Sequence, residues 1–311
     1  MLKISTGKID RAVKTVIYGS EGIGKSTFAS RFPDPLFIDT EGGTAQMDVR
    51  RVEKPQTWDE LISVVEEVAA TPDICKTLVI DTADWAEQLC VAYVCQKYKQ
   101  ASIESFGYGK GYTYLAEEWS RFLAACDTVI DSGKHVVIVA HAKQRKQELP
   151  DEAGAFDRWE MKLSKQVAPL LKEWADLLLF LNYKTFIVRT ETNSNKASGG
   201  KRVMFTTHHP CWDAKNRHGL PDELDLDFAN IAHIFGKAAP APVEPKPIDQ
   251  LRALMADAGI TDAQLQKVVA SKGHYPEEAV IDTYTDKFIT GWCLKYFDQI
   301  INIIKEDTEN V

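Results

Sequence analysis

Short apolar runs recur along the first half of the chain: VKTVIY at 13–18, then PLFID at 35–39, TLVID at 77–81 and VVIVAH at 136–141, these last three closed by an acid or a histidine. Runs of this length predict strands buried on both faces of a parallel sheet, with the polar residue at the carboxyl end. Between them the spacing becomes helical. Thr57 predicts an N-cap, with Glu60 completing a capping box, ahead of Leu61, Val64, Val65 and Val68 and a stop near Pro72. Trp119, Phe122, Leu123, Cys126 and Ile130 predict a second helix, and Val167, Leu170, Leu171 and Trp174 a third, which feeds a strand at 177–182. Strands at 185–190 and 202–206 flank NSNKASGGK and predict a hairpin at the sheet edge, while the polar stretch 148–158 reads as a mobile loop. The alternation predicts an α/β fold with a mostly parallel sheet.

The pattern breaks at 238–247, AAPAPVEPKP, an extended Pro/Ala linker. It separates a core, 1–237, from a unit at 248–311 with three helical patterns, at 248–258, 261–272 and 286–306. Charge follows the same division. Eleven acidic and six basic residues from Ile248 onward put −5 of the formal net charge of −8 in the small unit, leaving −3 for the core. A core so nearly balanced can still present a basic surface to nucleic acid. The 311 residues are 44% hydrophobic, as in soluble globular chains, and show neither a leader pattern nor a membrane-length apolar run, so a cytoplasmic protein is expected. Six cysteines without a paired spacing predict reduced thiols, and His208, His209, Cys211 and His218 match no standard zinc spacing.

The candidate chemistry begins at GSEGIGKS, residues 19–26, which fills every position of GxxxxGKS between a strand and a helix. Its glycines let backbone N–H groups converge on a polyphosphate, and the following helix adds its dipole, so Gly19, Ser20, Glu21, Gly22, Ile23, Gly24, Lys25, Ser26 and Thr27 are candidate nucleotide-binding residues. Lys25 is expected on the β- and γ-phosphates, with Ser26 and Asp81, at the end of the TLVID strand, holding Mg2+. Many P-loop ATPases place a Glu after that Asp to orient water. Here the next residue is Thr82, so the candidate passes to Glu41, at the end of another strand, whose alternative is a solvated loop acid. His141 ends the fourth strand and is a candidate γ-phosphate sensor or a structural histidine.

Two cationic segments stand apart from that motif. Between 93 and 114, Lys97, Lys99, Tyr108, Lys110 and Tyr112 combine flexible glycines, cations and flat rings, as a single-stranded nucleic acid channel requires. A Tyr-rich helix end packed on the core is the alternative. Lys143, Arg145 and Lys146 follow His141 and are candidates for phosphate contacts.

GSEGIGKS, FIDTEGG, VIDT and VIVAHAK, in this order, resemble the RecA-like ATPase core and are similar in order and spacing to the phage Sak-four group of RecA-like single-strand annealing ATPases, over residues 13 to about 235. In the RecA family a Glu after the second strand orients the attacking water, a place Glu41 occupies, and a Gln senses the γ-phosphate where this chain has His141. KNRHG at 215–219 resembles the KNRFG signature of RadA and the KxR hairpin of DnaB-type ring helicases. That implies that Lys215 and Arg217 reach a neighbouring subunit's ATP, in a homo-oligomeric ring or filament. The acidic C-terminal unit resembles tail domains of phage recombination proteins, which implies a single-strand binding or recombination partner.

The reading that results is an ATPase with ATP and Mg2+ as cofactors, acting on single-stranded DNA in recombination or strand annealing. Its rivals are a ring helicase or branch-migration motor, a small-molecule P-loop kinase, which would show an Arg-rich lid, and a binding module switched by nucleotide.

Overall fold

A computed structural model describes residues 6–7, 11–148, 154–189, 195–236 and 247–309. The chain divides into two compact units, Met1–Ala239 and Pro240–Val311. In the first, β1 (Lys14–Gly19) leads into α1 (Lys25–Ala29), followed by β2 (Pro35–Asp39), β3 (Arg50–Arg51), α2 (Trp58–Ala70), β4 (Thr77–Asp81), α3 (Ala83–Lys97) and α4 (Lys110–Asp131). Then come β5 (His135–Glu148), β6 (Ala155–Met161), α5 (Val167–Trp174), β7 (Leu177–Arg189), β8 (Asn195–Phe205), β9 (Lys215–Asn216) and β10 (Glu223–Asp225).

The sheet order is β10-β8-β7-β1-β5-β4-β2-β3, with β6 on β5 and β9 on β7. From β7 to β3 neighbouring strands run parallel, while β8, β10, β6 and β9 pair antiparallel. Because side chains alternate along a strand, each parallel strand contributes to two cores. Val16, Tyr18, Ile38, Ile80, Ile138 and Phe180 pack under α2 to α5. Ile17, Phe37, Val79, Val139 and Leu179 pack on the other face with Phe28 and Phe32 of the segment after the loop, and with Phe228 and Phe235. Register then aligns the strand ends. Gly19 lies beside His141 and Leu181, and Asp39 beside Asp81. This is an α/β core with a mostly parallel sheet, and its polar residues are gathered at the carboxyl ends of the parallel strands, where open α/β sheets bind ligands.

Four expectations are corrected. The stretch 148–158 is not simply a loop: β5 continues through Glu148 and pairs with β6 as a hairpin, and only 149–153 lie outside the described residues. The strands expected at 177–182 and 185–190 are one strand, β7, and its partner β8 starts at Asn195, inside the segment expected to turn. The helix that follows the loop, α1, is only five residues long, so its dipole adds little and convergent N–H groups must carry phosphate binding. At 57–60, the side chain of Glu60 accepts from Gln56 N, while Thr57 caps Glu60 N as expected.

The second unit holds α6 (Pro247–Ala258), α7 (Asp262–Ser271), α8 (Asp286–Phe288) and α9 (Phe297–Glu309) around Leu251, Leu265, Val269, Ile281, Ile289 and Ile300. Thr261 and Gln264 form a capping box ahead of α7. A π-helical turn, Ile289–Leu294, interrupts the helix expected at 286–306. The linker expected at 238–247 lies, up to residue 246, outside the described residues. Among the described residues no helix is long and apolar enough to cross a membrane.

The tightest constraint on the strand that carries the loop is at Gly19, where a methyl group would collide with the carbonyl oxygen of Leu181 on β7. Gly19→Ala is expected to cost roughly 1–3 kcal/mol, since the clash is with backbone that cannot rotate away. Urea denaturation checks this, and an unchanged midpoint would contradict the close β1–β7 approach.

Candidate active site

At the ends of β1, β2, β4 and β5 lies an open cavity of about 330 Å3 lined by Gly22, Gly24, Lys25, Ser26, Thr27, Glu41, Gly43, Asp81, Thr82 and His141. The structure thus brings together all five residues given a reactive or metal-binding role in cis. The loop that enters it leaves β1 at Gly19 and Ser20, exposes Glu21, and drives Ile23 into the core. At φ 102°, Gly24 has a backbone that other residues rarely adopt.

The loop is built for an anion. Lys25 is 6% exposed, and its ammonium donates to the carbonyl oxygen of Ser20 at 2.9 Å. Burial pushes its pKa down, against the pull of Asp81, Asp84, Glu41 and Glu21. The buried hydroxyl of Ser20 has no hydrogen-bond partner. A buried ammonium and an orphaned hydroxyl at one loop fit a polyphosphate, which supplies the missing acceptors. The Ser26 hydroxyl and the Asp81 carboxylate line the cavity together, and the hydroxyl favours the charged form of the carboxylate. A hydroxyl beside a carboxylate is an oxygen pair that suits Mg2+, which keeps several waters and takes few protein ligands.

The carboxylates have different tasks. Asp39 accepts from Gly42 N (2.6 Å), Gly43 N (3.2 Å), Thr44 N (2.9 Å) and Thr44 Oγ1 (2.6 Å), bonds that outweigh its burial and hold its pKa below the usual range. It is consumed in turning the chain after β2. That turn carries Glu41 into the cavity, where its backbone is fixed by Lys54 Nζ on its carbonyl oxygen at 2.9 Å. Thr40 locks the end of β2 to β4 by donating to Thr82 O and accepting from Thr82 N, both at 2.8 Å.

Asp84, the first-turn acid of α3, accepts from His141 N at 3.0 Å and meets His141 Nδ1 at 3.0 Å. Although burial opposes ionisation, these bonds hold its pKa below the usual range, so it is a carboxylate and can only accept. Nδ1 therefore carries a proton, and Nε2, 3.9 Å from the Glu41 carboxylate, is the nitrogen that meets the cavity. Nothing in the sequence marked Asp84 as this partner, because it becomes one only when β4 and β5 pair.

Arg202 was missed too. From β8 it approaches the loop at Ile23 O (3.5 Å), and with Arg31, Phe28 and Asp227 it lines a second cavity of about 220 Å3 that shares Gly24 and Thr27 with the first.

The chain belongs to the AAA domain family AAA_24. Its family model matches residues 11–218. The SPbeta prophage-derived uncharacterized protein YorG of Bacillus subtilis strain 168 is 25% identical over 137 residues, 42% of this chain; the chain spans about four-tenths of that relative's length, 41%. Among solved structures, the flagellar accessory protein FlaH from Methanocaldococcus jannaschii matches with a TM-score of 0.35 at 13% identity over 68% of this chain and 81% of its own. A KaiC-like protein from Pyrococcus horikoshii OT3 matches with 0.37 at 13% identity over 67% and 83%. Membership of an AAA domain family supports a nucleotide as the ligand of this site.

The other expected residues lie elsewhere. In the segment after α3, Tyr98 stacks on Tyr114 at 4.4 Å and both pack on Phe106, while Lys97 pairs with Glu118 at 2.8 Å. Tyr112 donates to Glu104. Lys99, Tyr108 and Lys110 are exposed, Tyr108 completely. Much of this segment is therefore a packed helix end, and of the five residues expected to line a channel, Lys99, Tyr108 and Lys110 stand clear of these contacts. Lys143, Arg145 and Lys146 lie on the β5 extension, exposed.

Lys215 and Arg217 do not form a free cationic pair. Lys215 donates to the carbonyl oxygens of Lys172, Glu173 and Ala175 at the end of α5, and burial, then the Arg217 cation, push its pKa down. Arg217 meets Asp176 at 2.9 Å, a carboxylate it shares with Arg11. Both sit against the start of β7, at the end of the sheet away from Gly19.

Asp81 gives a prediction with a definite sign. Burial, then the Asp39 and Glu41 charges, raise its pKa to about 6 against the Ser26 hydroxyl and Lys25. A carboxyl with a higher pKa folded than unfolded loses stability as pH rises from about 4 to about 6, and stays less stable above. Asp81→Asn is thus expected to stabilise the ligand-free chain at about pH 7.5 by up to roughly 2–3 kcal/mol, with little gain near pH 4, while Mg2+-dependent turnover is lost. Denaturation at both pH values checks it, and destabilisation at the higher pH would contradict the buried charge.

Proposed function

We propose that this chain is a Mg2+-dependent ATPase that assembles on single-stranded DNA as a homo-oligomer, for recombination or strand annealing in the cytoplasm of a phage host. The observation that carries the reading is a single strand, β5, which ends its core section with His141 in the nucleotide cavity and continues into a hairpin bearing Lys143, Arg145 and Lys146. A change at the nucleotide is thereby two residues from the first of three cations able to meet strand phosphates. The prophage-derived relative supports a phage origin.

In this mechanism Lys25 binds the β- and γ-phosphates as a point charge. Ser26 and Asp81 would hold Mg2+, which would draw charge from the phosphate oxygens. Glu41 orients the attacking water, and His141, positioned by Asp84, presents Nε2 to the γ-phosphate end of the cavity. Arg202 and Arg31 border the space left for the nucleoside.

Glu41→Gln should retain ATP and DNA binding while turnover falls roughly 10²-fold or more, because only the water loses its partner. The rate of the native chain is expected to rise with single-stranded DNA and less with duplex DNA or RNA. Equal rates under all conditions would favour a nucleotide-switched module instead.

Arg217 keeps the ring-motor reading in play, since its side chain is 60% exposed despite the contact with Asp176. An arginine given to a neighbour's ATP contributes about 10³–10⁵ in turnover. Arg217→Ala and Lys25→Ala chains, each inactive alone, should regain ATPase when mixed, because one mixed interface joins an intact loop to an intact Arg217. Mixed oligomers without recovery would remove the role.

A further inference from the structure

On the α4 and α5 side of the sheet lies a third and larger cavity, about 620 Å3, within the roughly 300–1,000 Å3 range of small-ligand sites. Its charges are unevenly matched. Lys172 on its wall pairs with Asp213 at 3.1 Å, a carboxylate also met from outside the lining by Arg158 at 2.6 Å, and Lys143 is held by the carbonyl oxygen of Leu163 at 2.8 Å. Arg145 and Lys165 line the same space, are exposed, and have no hydrogen-bond or ion-pair partner among the described residues. Both are thus open to an anion. The half-buried ring of Tyr112 lines the same space, anchored through its hydroxyl to Glu104. Glu160, also on the wall, offers a carboxylate that can accept from amino groups.

We propose that this cavity receives one nucleotide unit of a single strand, its phosphate on Arg145 and Lys165 and its base against Tyr112, within reach of Glu160. This rests on the reading of the chain as a single-strand binder and adds where a base is held. Two cations and a flat ring with an acceptor nearby match a phosphorylated base better than an acidic peptide, which satisfies the cations but leaves the ring and Glu160 unused. The floor of the cavity connects to the ATPase site. Tyr18 donates to Asp213 O at 2.6 Å and accepts from Asp213 N at 3.0 Å, and the next residue, Gly19, opens the phosphate loop. Lys143 on the wall is two residues from His141.

The test uses the full chain and three fluorescent or competing probes: a dT 15-mer, the same length of abasic strand, and free dTMP. Replacing Arg145 and Lys165 together by Ala should weaken the dT 15-mer at least about tenfold and flatten the log-affinity against log-salt slope by about 0.7 for each phosphate that is no longer neutralised. Tyr112→Ala should weaken the dT 15-mer about tenfold while leaving the abasic strand unchanged, and Tyr112→Trp, which keeps a ring, should retain binding. If the dT 15-mer binds but ignores all these changes, the strand lies elsewhere; the cavity proposal then fails while the single-strand reading survives. Absence of any strand binding by the native chain overturns both. Equal weakening of the abasic strand in Tyr112→Ala, dTMP binding as tight as the strand, or full displacement of the strand by poly-glutamate would each overturn the assignment of a strand base to this cavity.

Discussion

Four ionisable groups are gathered at and beside one cavity by the strand ends and the phosphate loop, and the core depends on how their charges are resolved. Lys25 and Asp81 are almost fully buried, with pKa values moved toward neutrality by burial, and Asp39 and Glu41 stand beside Asp81. Burying charge is costly unless it is paired. Asp39 is paired by its own turn, but Asp81 has the Ser26 hydroxyl, and Lys25 only a backbone carbonyl. The ligand-free chain therefore carries an unresolved charge pattern that a metal-bound polyphosphate resolves, and the same unfavourable electrostatics become binding energy.

The sheet transmits that constraint outward. β5 passes from a fully buried core section to an exposed cationic hairpin without a break, and its neighbour β1 carries both the loop and Tyr18, whose hydroxyl is pinned to Asp213. Rigid parallel strands move little along their own length. Adjustments at the phosphate end therefore have two exits: the hairpin through His141, and the α5 side through Tyr18.

Local patterns were legible in the sequence and tertiary partnerships were not. The phosphate loop, the acids ending two strands, the capped helices and the division near residue 240 are all local in sequence, and the residues placed by them lie in one cavity. The β5 extension was missed because KQRKQE has no apolar alternation: it pairs with β6 but has no core to face, so the strand leaves no hydrophobic signature. Asp84 and Arg202 became visible only when topology put them beside His141 and Gly24. Lys215 shows the reverse error. A basic residue in a suggestive motif was read as a reagent, and in the folded chain its ammonium occupies the carbonyl end of α5, where helices leave acceptors unsatisfied.

The choice of the water-orienting group follows from counting acceptors already in use. Asp39 has four donors, Asp84 is taken by His141 through both backbone and ring, and Asp81, beside Ser26, is set with that hydroxyl to hold the metal. Thr82, in the position where a Glu was sought, is buried against the end of β2, its backbone tied to Thr40. Glu41 has no donor closer than the histidine at 3.9 Å, is not engaged as a partner of Ser26, and its side chain is 36% exposed, enough to meet solvent. A group that must hold a water in the reaction has to have lone pairs to spare in the resting site. By that requirement the proposed role falls to the carboxylate that the Asp39 turn delivers, and under that proposal the turn's four hydrogen bonds serve turnover as well as folding.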